Sequence, residues 1–158
     1  MMQAVGLTQG GFYAHFKSKD DLLREVLIEA FSRKREEWVT GFDVLKEDQK
    51  FAKLVGRYFS RGHRDHKATG CPATSLVTEI ERSNKKLRQV FESELLKSLE
   101  LIQKYSPSYK NFNSEEVALI ITILGTGAIA LSRAVANPNF SDKILHVAGK
   151  MGMSFKNA

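Results

Sequence analysis

"GLTQGGFYAHFKSKDDLL", residues 6 to 23, is the densest run of local structural instruction in the chain. Thr8 has the chemistry of a helix N-cap, and the helix it opens is short, running to about Phe16. Gly10 and Gly11 fall in its first turn, where each costs about 1 kcal/mol of helix propensity relative to alanine. Two such residues side by side ask for a reason, and close backbone approach to another surface is one. Ser18 then caps a second helix, with Asp21 at the N3 position of a capping pattern. Leu22, Leu23, Val26, Leu27, Ala30 and Phe31 recur behind it at helical spacing, which predicts a helix from about 19 to near Gly41.

Working outward, the remaining chain reads as helices joined by short polar connectors. One spans roughly Glu47 to His63, with Phe51, Leu54, Val55, Tyr58 and Phe59 on its apolar side. "RDHKATG" reads as a loop, and Pro72 suits the first turn of the helix after it. Ser83 and Asn84 mark a break before a long amphipathic helix carrying Leu87, Val90, Phe91, Leu95, Leu99 and Ile102. Ser114, followed by two glutamates, opens a further helix reaching about Ala136, since acidic side chains favour a helix N-terminus. "NPNF" interrupts, and Ser141 is the expected cap of a last helix through Met151 or Phe155. The fold class expected is all-α.

Composition agrees. The chain has 158 residues, 42% of them apolar and 27% charged, with only three prolines. That is ordinary for a globular protein with one sizeable core. Cys71 is the only cysteine, so no internal disulfide forms, which fits a reducing compartment. The opening residues do not read as a signal peptide, lacking a basic start and an apolar core. The longest apolar run, "VALIITILGTGAIAL" at 117 to 131, is short for a membrane span and reads as a buried helix. The expectation is a cytoplasmic protein without a membrane anchor. Net charge is +6, and the excess lies between residues 41 and 110 rather than beside the opening motif.

A short helix led by small residues has the shape of a DNA-recognition helix, which meets base edges through its N-terminal residues. Gln9 can read adenine with its amide, and Gly10 and Gly11 admit the backbone to the groove floor. Tyr13 and His15 can donate to phosphate oxygens, and Lys19 adds charge to the backbone donors of the next helix start. The same residues also permit a plainer reading, in which "GG" is a turn and Phe12 and Phe16 are core.

"VGLTQGGFYAHFKSKDDLL" resembles the signature of the TetR-type repressor family: a glycine, an apolar residue, a Ser/Thr cap, small residues, "FY", "HF", then "SK" and an acidic residue before a leucine pair. "RGHRDHKATGCPATSLVTEI" and "GTGAIALSRAVANPNFSDKIL" resemble the regulatory half and the two closing helices of one branch of that family. The resemblance implies an all-helical homodimer with an N-terminal helix-turn-helix and a C-terminal ligand-binding and dimerisation domain. It divides the chain into 1–40, a remnant of the DNA-binding domain, and 41–158. Within the first part, the recognition helix covers about 8–16 and the connecting helix about 19–40. By motif position it assigns Gln9, Gly10 and Gly11 to bases, and Thr8, Tyr13, His15 and Lys19 to phosphates. The partners implied are double-stranded operator DNA, a small-molecule effector and a second copy of the chain. No cofactor is implied.

A helix-turn-helix needs its first helix, and this family adds one before it. "MMQAVG" supplies at most the tail of that part. The expectation is that these 158 residues by themselves bind operator DNA weakly or not at all, and that binding returns when the preceding helices are restored. The competing reading is a helical ligand-binding and dimerisation module that does not engage DNA and pairs with a full-length relative.

Other residue patterns receive an expectation each. Trp38, Phe59, Leu76, Phe91, Leu95 and Ile120 are candidate pocket residues, because the family places its cavity among these helices. The helix at 114–136 is apolar nearly all round, and the last one is wide for a single intramolecular face. Leu124, Ala128, Leu131, Ile144, Ala148 and Met151 are therefore candidates for a dimer interface. Lys50, Lys53, Arg57, Arg61 and Arg64 form a basic stripe, read as a solvated face before an anion site. His63, Asp65, His66 and Cys71 have zinc-ligand chemistry, but a metal site is not favoured, and Cys71 reads as packing rather than a redox sensor. No phosphate loop or nucleophile elbow is present, so the chain does not read as an enzyme.

Overall fold

The computed structural model describes residues 16–66 and 70–157, and every described secondary-structure element longer than an isolated bridge is helical. The order is α1 (Lys19–Val39), α2 (Glu47–Tyr58), α3 (Arg61–Asp65), α4 (Pro72–Glu81), α5 (Lys85–Tyr105), α6 (Ser114–Ala134) and α7 (Pro138–Ser154), closed by a 3₁₀ turn at Phe155–Asn157. The all-α expectation holds. The short helix expected at 8–16 lies outside the described residues apart from Phe16, which is not helical.

Local chemistry sets most boundaries. Ser18 is extended and its hydroxyl accepts the Asp21 N–H at 3.1 Å, so α1 starts where its cap predicts. At the other end Gly41 takes φ +72, a left-handed turn that L side chains rarely adopt. The last carbonyls of α1 are met from outside: Arg57 donates to those of Trp38 and Thr40, both at 2.7 Å. Pro72 occupies the first turn of α4, and the Asn84 side chain accepts from Leu87 N–H to open α5.

Two boundaries differ from the sequence reading, and α6 starts at Ser114 as expected. The helix expected over Glu47 to His63 is broken into α2 and α3. Ser60 turns extended, and its hydroxyl accepts the His63 N–H at 3.0 Å as a new N-cap. The freed Tyr58 carbonyl accepts from His63 Nδ1 at 2.7 Å. The cap of α6 is Asn113, which forms a reciprocal pair with Glu116, and Ser114 is the first helical residue. The cap of α7 is Asn137, followed by Pro138, rather than Ser141. Ser141 lies inside α7, where its hydroxyl donates to the Ser132 carbonyl at 2.6 Å and ties α7 to the end of α6.

α1 and α5 run side by side in the same direction. Asn84 donates to Asp20 near their starts, Phe31 meets Phe91 edge-on at 5.5 Å midway, and Phe42 meets Tyr105 at 5.0 Å near their ends. Between them Arg35 pairs with the buried Glu94 carboxylate at 2.8 Å. Burial pulls that carboxyl upward, but hydrogen bonds from Lys97 and Arg35 outweigh it and hold it below its ordinary range.

α6 packs against α3, α4, α5 and α7 and carries the centre of the core through Val117, Ala118, Ile121 and Ile129. By length and composition alone it is apolar enough to cross a bilayer. In the bundle one side of it faces this core, and the other, with Ile123 and Leu131, is open.

Candidate functional site

Of the residues read as DNA contacts, Thr8, Gln9, Gly10, Gly11, Tyr13 and His15 lie outside the described residues. Lys19 is the first residue of α1 and is exposed. Its turn also holds Asp20 and Asp21, with Asp21 accepting the Lys17 N–H at 3.2 Å and pairing with Arg24 at 3.6 Å. The phosphate-facing turn read from the sequence therefore carries two carboxylates beside its lysine.

The far half of α1 lines a cavity of about 490 Å³, within the range of small-molecule sites. Its walls are Ala30, Arg33, Lys34, Glu37 and Trp38 from α1, Arg57 from α2, and Ser60, Gly62, His63, His66 and Gly70 around α3. Lys34 lies in the apolar stripe Leu27, Phe31, Lys34, Trp38 and is 6% exposed. Its ammonium reaches Glu37 at 2.6 Å. His63 is buried and stacks on the Tyr58 ring at a centroid distance of 5.3 Å. Its Nδ1 donates to the Tyr58 carbonyl and its Nε2 accepts the Cys71 N–H at 3.1 Å. Burial lowers its pKa from 6.5 to about 4, so the ring is neutral near pH 7.

Of the six pocket candidates read from the sequence, Trp38 alone lines this cavity. Phe59 faces a separate groove with Gly149 and Met153, while Leu76, Phe91, Leu95 and Ile120 pack half-buried against the core. The structure does not bring those six residues together. Sequence reasoning missed Arg33, Lys34 and Glu37. The available signal was Lys34 itself, a lysine at helical spacing in the middle of an apolar stripe.

The six interface candidates do come together. Leu124, Ala128, Leu131, Ile144, Ala148 and Met151 all line one open groove of about 640 Å³ between α6 and α7. Ile123, Gly127, Phe140, Lys143 and Val147 complete it. Ile123 is 62% exposed, Leu131 59% and Val147 57%, a concentration of bare apolar surface that scattered surface residues do not produce.

A polar network joins the two regions. Arg133, at the end of α6, donates to the His63 and Arg64 carbonyls of α3 at 2.9 and 2.8 Å. Arg64 reaches Ser141 at 2.9 Å and Asp142 at 2.8 Å on α7, and Arg61 also pairs with Asp142. Hydrogen bonds from Arg61 and Arg64 hold the Asp142 carboxyl below its usual range. The segment between cavity and groove is thus bolted to the α6/α7 pair.

The structure divides the basic stripe: beyond the break before Ser60, Arg61 and Arg64 turn to α7, while on α2 Arg57 donates to the end of α1 and Lys50 pairs with Glu47. Cys71 is buried at the start of α4. Among the described residues no three His, Cys, Asp or Glu side chains gather as metal ligands, and His63 has both ring nitrogens engaged.

No curated protein matches the chain. A family model does: that of the bacterial regulatory proteins, tetR family, over residues 2–26. The match takes in "GLTQGGFYAHFKSKDDLL" and continues into the first turns of α1. Over this N-terminal stretch the chain is similar to the tetR family of bacterial regulatory proteins.

Proposed function

We propose that the protein is a cytoplasmic, effector-responsive transcriptional repressor that occupies operator DNA as a homodimer. Gln9, Gly10 and Gly11 meet bases, Thr8, Tyr13, His15 and Lys19 meet phosphates, and the bare α6/α7 face joins two copies as a four-helix contact. The protein acts by binding rather than catalysis. Residues 1–40 belong to the DNA-binding part and 41–158 to the effector and dimerisation part.

One observation carries the reading. The tetR match runs to residue 26, inside α1, and the other end of that same helix, from Lys34 to Trp38, forms a wall of the cavity. A single 21-residue helix therefore connects the motif to the effector region. Two recognition helices on a dimer must match half-sites about one helical turn apart, so a small displacement of α1 costs much affinity.

Selection from a randomised duplex DNA library tests the reading. It is run on the 158-residue chain and on the chain extended by any in-frame coding sequence upstream of Met1, since a helix-turn-helix needs the helix before its recognition helix. The expected result is a palindromic site bound by the extended chain, weak binding by the 158 residues alone, and loss of selectivity in Gln9→Ala. A stable dimer that enriches no sequence in either form overturns the repressor reading and supports the non-DNA-binding module.

A further inference from the structure

The cavity beside α1 has a charge pattern that its fold does not use up. Arg33, Lys34 and Arg57 face it against one carboxylate, Glu37. Arg57 turns both of its terminal nitrogens to the carbonyls at the end of α1. Lys34 spends only one donor: its ammonium has three N–H groups, and Glu37 is its acceptor. That acceptor side chain is 62% exposed. Arg33 is exposed and has no hydrogen-bond or ion-pair partner among the described residues. A nearly buried lysine is expensive unless its charge is met, and here the partner is an exposed surface carboxylate. Beside it the Trp38 side chain lines the cavity as its large apolar member, and neutral His63 adds no charge.

We infer that this cavity binds a small organic anion, a carboxylate carried on a planar apolar body. Lys34 and Arg33 are its charge partners and Trp38 is its stacking wall. The ligand carboxylate takes the donors that Glu37 leaves open and displaces Glu37 into water. The ring fills the space against Trp38, where the volume of about 490 Å³ admits one such molecule. The inference rests on the effector-binding part of the proposed function, and it names the chemical class of that effector.

Cinnamate and cinnamamide, nearly equal in shape and different in charge, are the probes. Each is titrated into the 158-residue protein by calorimetry, with the indole N–H resonance in a nitrogen-correlated proton spectrum as a second readout. Trp38 is the only tryptophan, so that single resonance reports this cavity. Cinnamate is expected to bind at one site per chain and shift the resonance, with cinnamamide at least tenfold weaker. Lys34→Met keeps the buried stem and is expected to weaken cinnamate at least tenfold while leaving cinnamamide unchanged. Arg33→Ala, at an exposed position, weakens cinnamate about threefold. Lys34→Arg, which retains the charge, keeps cinnamate binding and guards against a folding artefact.

Equal affinity for the two probes, or full cinnamate affinity in Lys34→Met, overturns the inference, and so does absence of cinnamate binding at millimolar concentration. The assay contains no DNA. Cinnamate binding together with failed site selection removes the repressor reading and leaves this site standing. Site selection without cinnamate binding does the reverse.

Discussion

His63 shows how much one side chain does that its neighbours in sequence do not disclose. As part of "HRDH" it has ligand chemistry, yet its ring closes the gap between α2 and α4, with the Tyr58 carbonyl on one nitrogen and the Cys71 N–H on the other. The second partner lies eight residues on across a loop, so no local pattern announces it. The arrangement works only while Nε2 is unprotonated, and burial lowers the pKa from 6.5 to about 4. The sign follows. Between those values the unfolded chain binds a proton that the folded chain refuses, so stability falls as pH drops through that window and levels off below about 4. The total is about 3 to 4 kcal/mol, at about 1.4 kcal/mol per unit of pKa difference. Urea unfolding at pH 7, 6, 5 and 4 is expected to trace this loss. In His63→Asn the fall across the window disappears, from a lower starting stability. Asp142 and Glu94, held low by their cationic partners, lose their contribution only further down the acid range.

Helix starts and stops were largely legible, because Ser18, Gly41, Pro72 and Asn84 act through their own backbone neighbourhoods. The break before Ser60 was not, because the apolar spacing of Phe51 to Phe59 runs straight into it. Ser60 caps the new helix, and the partners that hold the turn are His63, which takes up the Tyr58 carbonyl, and Arg133 of α6, seventy residues from His63. The small residues of α6 were legible only as a group. Both Gly125 and Gly127 have the chemistry of close helix approach, but they meet different things. A Cβ on Gly125 would stand 2.4 Å from the ring of Tyr58, which is fully buried, whereas one on Gly127 meets nothing within 4 Å in the chain. Gly125→Ala is therefore expected to lose about 2 kcal/mol, because overpacking against an immobile ring exceeds the ~1 kcal/mol gained in helix propensity. Gly127→Ala escapes the clash and should match or exceed the parent in monomer stability. Chemical denaturation of both variants checks the pair, and equal stability would mean that the Tyr58 ring yields where its packing says it cannot.

Two regions of the molecule carry the functional proposals, and they were unequally legible. The apolar face could be read because each of its helices alone carries more apolar surface than a single core contact uses. The cavity could not, because its walls come from α1, α2 and the turn around α3, and its polar members look like ordinary surface charges in sequence. The face is also the region where a substitution can separate assembly from folding. Val147 and Leu131 point away from the core of their own chain, so a carboxylate at either leaves the monomer's packing intact. Placed across a symmetric contact, the same carboxylate is buried beside its own copy and opposite apolar surface, which costs several kcal/mol per dimer. The parent chain is expected to elute and scatter as a dimer of about twice 17.8 kDa. Val147→Glu and Leu131→Glu are expected to run as monomers with an unchanged helical spectrum, and the Ile121→Glu control, in the core, fails to fold. Because DNA half-sites are read in pairs, the two monomeric variants also lose site-specific DNA binding while keeping any ligand that the α1 cavity holds. A Val147→Glu protein that remains dimeric would move the interface to another surface and leave the bare α6/α7 groove without its proposed occupant.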